Sequence, residues 1–165
     1  MKYPDIRVSA AALVLGIAVA AAGCGGAQHD LHNTGRACLY PSGQGSGNPL
    51  LFPDMSAKDY PADGPLDVTV LVDCLSSTCT VQGSQSASCT VEVDGETLRV
   101  DARGSYRDTG DDACSSDCQA LVAHCTTPAP VTAGSWTFAY VTKSAAIAIP
   151  SSVPPRCLAS DLPVN

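Results

Sequence analysis

The sequence predicts an all-β protein, a disulfide-stabilised β-sandwich of about seven strands carried behind a signal peptide and a flexible tether. From Leu66 onward, short runs rich in Val, Thr and Ile are separated by turn residues every 8 to 15 positions, the spacing of a sandwich. Within those runs apolar and polar residues alternate with period 2, which turns one face to a core and the other to water. The chain also has nine cysteines in 165 residues but only one Trp and two Phe. A core so thin in aromatics gains from cross-links, which contribute ~2–4 kcal/mol each.

At the N-terminus, Lys2 and Arg7, with Asp5 between them, precede an uncharged stretch from Val8 to Ala22 of 15 residues. That is the length of a signal-peptide core and short of the ~20 apolar residues a transmembrane helix needs. Small residues at Ala21, Ala22 and Gly23 suit secretory cleavage of any kind, so Cys24, directly after them, is the discriminating residue. Ala21-Ala22-Gly23-Cys24 resembles the lipobox of bacterial lipoproteins, with Ala21 where its strongest form carries Leu. The resemblance implies that residues 1–23 are a signal peptide removed at Cys24, and that the Cys24 sulfur carries a diacylglycerol. Lipid would then be the membrane attachment, each buried methylene of its acyl chains, palmitate among them, adding ~0.8 kcal/mol. Gly25 stands where related lipoproteins retained at the inner membrane often carry an acid, which points to the outer membrane.

Residues 24–65 read as a lipidated tether, dense in Gly, Pro, Ser and Asn, as in the run from Pro41 to Pro49, and without a period of 2 or 3.6. Cys38 and the apolar Leu50-Leu51-Phe52 are expected to dock parts of it on the folded body. The disulfide-rich sandwich domain then spans 66–165. Its first strand is marked by Val68, Val70 and Val72, alternating with Asp67, Thr69 and Leu71. A hairpin follows: Val91 and Val93 alternate with Thr90, Glu92 and Asp94, Asp94-Gly95 supplies the turn, and Leu98, Val100 and Ala102 alternate with Arg99, Asp101 and Arg103. Further strands are expected at Thr80 to Gln82, Ala120 to Thr126, Trp136 to Val141 and Ala145 to Ile149. Only Ser115 to Val122 competes as a helix, and a loop leading into a strand fits it equally well.

The segment from Ala133 to Tyr140, followed by Ser144 to Pro150, resembles the last two strands of an immunoglobulin-like or fibronectin-like domain. Trp136 stands where such folds usually carry Tyr. The likeness covers about twenty residues and implies a fold, not an activity.

Nine cysteines cannot pair completely. With Cys24 consumed by lipid, Cys38, Cys74, Cys79, Cys89, Cys114, Cys118, Cys125 and Cys157 form an even set able to close four disulfides. Of the 105 connectivities open to eight cysteines, two pairs are expected: Cys79 with Cys89 across a hairpin turning near Ser84, and Cys38 with Cys157 tying linker to tail. A competing zinc reading of Cys114, Cys118, Cys125 and His124 lacks the closely paired knuckles of zinc modules, and an oxidising export compartment favours disulfides. Asp108, Asp111 and Asp112 crowd one loop without the EF-hand pattern, so a solvated acidic turn is expected over calcium. His29 and His32 could converge on a transition metal only if their segment turns. No metal or other cofactor is expected.

Removing Lys2, Arg7 and Asp5 with the leader leaves seven basic and fifteen acidic residues, a net charge of −8. Such a surface repels phosphate backbones, which excludes nucleic acid as a partner. Gly-x-Ser-x-Gly, His-Glu-x-x-His, Ser-x-x-Lys and phosphate-binding glycine motifs do not occur, and His124 is the sole histidine after residue 65 around which a triad could be built. Blue copper would need a second His and a Met, while Met55 falls in the tether. The expected role is that of a non-enzymatic, lipid-anchored structural or binding module of the cell envelope, meeting a protein or glycan through its loops. A disulfide-stiffened protease inhibitor or similar secreted antagonist is the alternative class.

Overall fold

The computed structural model describes residues 26–43, 59–152 and 156–160. Nine strands are present: β1 (Gln28–His32), β2 (Arg36–Pro41), β3 (Leu66–Leu75), β4 (Ser86–Asp94), β5 (Thr97–Arg107), β6 (Gln119–Thr126), β7 (Gly134–Tyr140), β8 (Lys143–Ile149) and β9 (Arg156–Ala159). No helix occurs among the described residues. One sheet runs β1-β5-β7-β8, with β4 on the other side of β5, and the second runs β6-β3-β2-β9. The two are packed as a sandwich around a single apolar cluster.

The alternation that predicts the strands becomes the core. Val68, Val70 and Val72 of β3 face Leu98, Val100 and Ala102 of β5, and all six are buried; a fully buried aliphatic side chain contributes ~1.5–3 kcal/mol. The β4–β5 hairpin pairs residue for residue from Ser86↔Ser105 to Asp94↔Thr97. Its loop is therefore Gly95-Glu96, one position later than the expected Asp94-Gly95. Asp94 still pairs, and Gly95, with φ +57°, takes the first central position of a primed hairpin turn. The two segments likened to the close of an immunoglobulin-like domain form an antiparallel hairpin, β7 with β8. The ladder joining β5 to β7 is parallel. Parallel neighbours need a crossover, and β6 supplies it by carrying the chain back through the opposite sheet.

Three expectations need correction. The segment read as a tether contributes β1 and β2, and β2 lies inside its sheet between β3 and β9. Ala37 to Pro41 are all buried, so this strand is a continuous apolar run with no period to detect. β1 is polar apart from Leu31, which packs against the core, and it is held by its ladder with β5 and by side-chain pairs. Leu50-Leu51-Phe52 and Met55 lie outside the described residues. Thr80 to Gln82 makes only the single bridge Thr80↔Asp108, because the chain is there crossing from one sheet to the other. Nor does Cys79 pair with Cys89.

The eight described cysteines instead form Cys38–Cys157, Cys74–Cys118, Cys79–Cys114 and Cys89–Cys125. The first agrees with the sequence reading and joins directly opposed residues of β2 and β9. Cys89–Cys125 crosses between the sheets, from β4 to β6. Since no hairpin turns at Ser84, Cys89 faces β6 and Cys79 is left at the loop end beside Cys114.

Tyrosines fill the place that the sparse Trp and Phe leave. Tyr60 and Tyr140 are the largest fully buried side chains among the described residues. The Tyr60 hydroxyl donates to the Leu39 carbonyl at 2.7 Å and accepts from the Arg156 amide at 3.3 Å, tying β2 to β9. The Tyr140 hydroxyl donates to the Thr34 carbonyl. Burial pushes both hydroxyls up to about 12. Unfolded tyrosine titrates near ~10, so the stability these groups contribute is complete below pH ~10 and is lost as pH rises through ~12. The urea midpoint should accordingly fall steeply over that window, and Tyr60→Phe should flatten the fall; a midpoint that is level across it would contradict their burial.

Candidate functional site

Polar chemistry gathers at one end of the sandwich. There the loop 76–85, from β3 to β4, and the loop 108–118, from β5 to β6, are stapled by Cys74–Cys118 and Cys79–Cys114. Backbone and hydroxyl contacts add to the staples: Thr109 N–H donates to the Cys79 carbonyl at 2.8 Å, and Ser115 N–H to Thr78 Oγ1 at 2.8 Å. The Asp117 carboxylate accepts from the Ser115 hydroxyl and from the Ser77 amide at 3.2 Å, which together hold it below the usual carboxylate range.

A cleft of about 430 Å³ opens at this end, lined among others by His29, Tyr106, Asp108, Asp111 and Asp112. His29 Nε2–H donates to Asp108 Oδ2 at 2.7 Å, and the imidazole stacks on Tyr106 with centroids 4.7 Å apart. That hydrogen bond lowers the Asp108 pKa. Beneath lies Asp73, which the irregular register between Leu71 and Asp73 turns into a buried position. Burial pushes its carboxyl up, opposed by the Cys74 amide at 2.6 Å and by His29. Burial, then the charges of Asp73 and Asp108, raises the Tyr106 hydroxyl.

At the other end of β1, His32 Nε2–H donates to Asp101 Oδ1 at 2.6 Å, and Asn33 Nδ2 donates to the same oxygen at 3.1 Å. The His32 bond leads in holding Asp101 below the usual range. Asn33 has φ +54°, a left-handed conformation that Asn tolerates. Its amide donates to the Ala102 carbonyl at 2.8 Å, and its Oδ1 accepts the Ala102 amide at 2.7 Å. Two His–Asp pairs therefore clamp β1 to β5 and to the loop that follows it.

His29 and His32 do not converge, because residues three apart on a strand point to opposite faces. Cys114, Cys118 and Cys125 enter three different disulfides, and His124, on the exposed side of β6, shares a 3.1 Å hydrogen bond with Thr69 Oγ1. Among the described residues no three His, Cys, Asp or Glu are grouped to hold a metal. Cys24 and residues 1–23 lie outside the described residues. Asp73 and Tyr106 escape a reading of the sequence; the available signal is an acid inside the Val-rich run from Leu66 to Leu75, a local conflict of the kind that marks special positions.

Compared with known protein families, with curated proteins and with solved structures, the chain matches none. The class that its own geometry defines is a β-sandwich with an acid-rich, doubly bridged end, its described residues forming nine strands and four disulfides.

Proposed function

We propose that this protein is a lipid-anchored, extracytoplasmic structural or binding module of the bacterial cell envelope, working by display and not by catalysis. The observation that carries this reading is the pairing of the other eight cysteines into four disulfides. The eight described cysteines are thereby satisfied among themselves, which supports a Cys24 consumed by the diacylglycerol that the lipobox resemblance implies. Four bridges also favour an oxidising compartment, and the acidic surface suits a protein or glycan partner better than a polyanion.

Intact-mass measurement of the native protein tests it. The expected species begins at Cys24, carries the mass of a diacylglycerol, and offers eight thiols to alkylation only after reduction. A water-soluble species whose Cys24 alkylates without reductant would falsify the anchoring.

A further inference from the structure

We infer that the domain is held flush on the bilayer, with the doubly bridged end against the lipid headgroups and the Gly95-Glu96 end facing away. This rests on the acylation of Cys24 proposed above. A tether of some 40 residues would give the domain a reach of ~35 Å. The structure removes that tether: Gly26 is already packed on the folded body, where a Cβ would sit 1.7 Å from Asp108 Oδ1 and 2.2 Å from the Asp108 carbonyl oxygen. The Ala27 carbonyl accepts the Asp108 amide at 3.0 Å. From Gln28 to His32 every residue of β1 then pairs with β5, and His29 and His32 clamp the strand at its two ends. Only Gly25 separates Cys24 from Gly26, so the lipid-bearing residue lies within ~7 Å of Gly26.

The direction of β1 decides which end that is. Gln28 pairs with Arg107, the last residue of β5, so the chain enters beside the loop 108–118. The far end, at Gly95-Glu96, lies a full β5 away, roughly 33 Å at the rise of a strand. Attraction does not cause the apposition, since Asp108, Asp111, Asp112 and Asp117 crowd the near end and repel anionic headgroups. Covalent reach enforces it. Among the described residues the loops facing outward include Gly95-Glu96 and the segment 127–133, the latter fastened by Thr127, whose Oγ1 accepts the Leu66 amide at 3.0 Å, and by the bridge of Val131 with Gly64.

The test uses the native acylated protein in nanodiscs of phosphatidylethanolamine and phosphatidylglycerol doped with a gadolinium-chelate headgroup lipid, read by amide relaxation. Amides in 77–84 and 108–117 should relax at least an order of magnitude faster than those in 95–97 and 129–133. A second variant, with about 20 Gly and Ser residues inserted between Gly25 and Gly26, should lose most of that gradient. Equal or reversed relaxation in the anchored native protein overturns the orientation while leaving the anchoring intact. A gradient that survives the insertion overturns covalent reach as its cause. Failure to enter nanodiscs, with no acyl mass on Cys24, removes the anchoring itself and this inference with it.

Discussion

Replacing Cys38 and Cys157 together by Ala is expected to lower the unfolding free energy by about 4–5 kcal/mol, the largest loss among the four paired cysteine replacements. The reason is loop closure in the unfolded chain. This bridge spans a sequence separation of 119 residues, against 44, 35 and 36 for the others, and the entropy removed by a cross-link grows with the logarithm of the loop. Against a typical net stability of about 5–15 kcal/mol, such a loss is a large fraction of the total. It also frees β9, a four-residue edge strand that pairs only with β2 among the described strands. Urea unfolding of the native protein and of each double variant measures the effect, and amide exchange in Arg156–Ala159 shows whether β9 opens first. If the Cys79/Cys114 double variant lost more than the Cys38/Cys157 one, loop entropy would not be what governs the ranking of the four bridges.

Gly35→Ala should cost on the order of 3–5 kcal/mol, in the range reserved for a named structural failure. Gly35 turns the chain from β1 into β2 with φ +78°, and a Cβ there would lie 1.9 Å from the Leu71 carbonyl oxygen. That atom is backbone in the neighbouring strand and cannot swing aside. The Gly35 carbonyl also accepts the Ser160 amide at 2.7 Å, so a displaced turn pulls on β2, β3 and the chain end of β9 together. Gly95→Ala is the control. Its φ of +57° carries a similar left-handed penalty, but nothing lies within 4 Å of the added carbon, and a loss of only about 1–2 kcal/mol is expected. Comparable midpoints for the two variants would show that the close approach at Gly35 is relieved by motion.

The strands most legible in the sequence are those whose apolar and polar residues alternate, β3 and the β4–β5 hairpin, although the structure buries most of β3 on both faces. β6, β7 and β8 show themselves as short runs between turn residues. β2 is hidden for the opposite reason, its residues from Ala37 to Pro41 being buried without alternation. β1 is hidden because Gln28-His29-Asp30-Leu31-His32 carries Leu31 as its single apolar side chain, and the partners that hold it are distant in the chain: β5 through the ladder, with Asp108 and Asp101 lying 79 and 69 positions away from the histidines that meet them. The site is legible only in part. His29 and Asp108 stand out as polar residues in separate segments, while Asp73 and Tyr106 gain their meaning only when the fold brings them beside that pair.

Composition and periodicity are enough for the fold class and for the limit of four cross-links that nine cysteines can close. These are local or additive properties, readable one residue at a time. Which cysteine meets which, the parallel ladder of β5 with β7, and the closeness of residue 26 to the loop after β5 depend on register between strands far apart in the chain. Register is chosen by the packing of two whole sheets against one core, and no short window of sequence contains that choice.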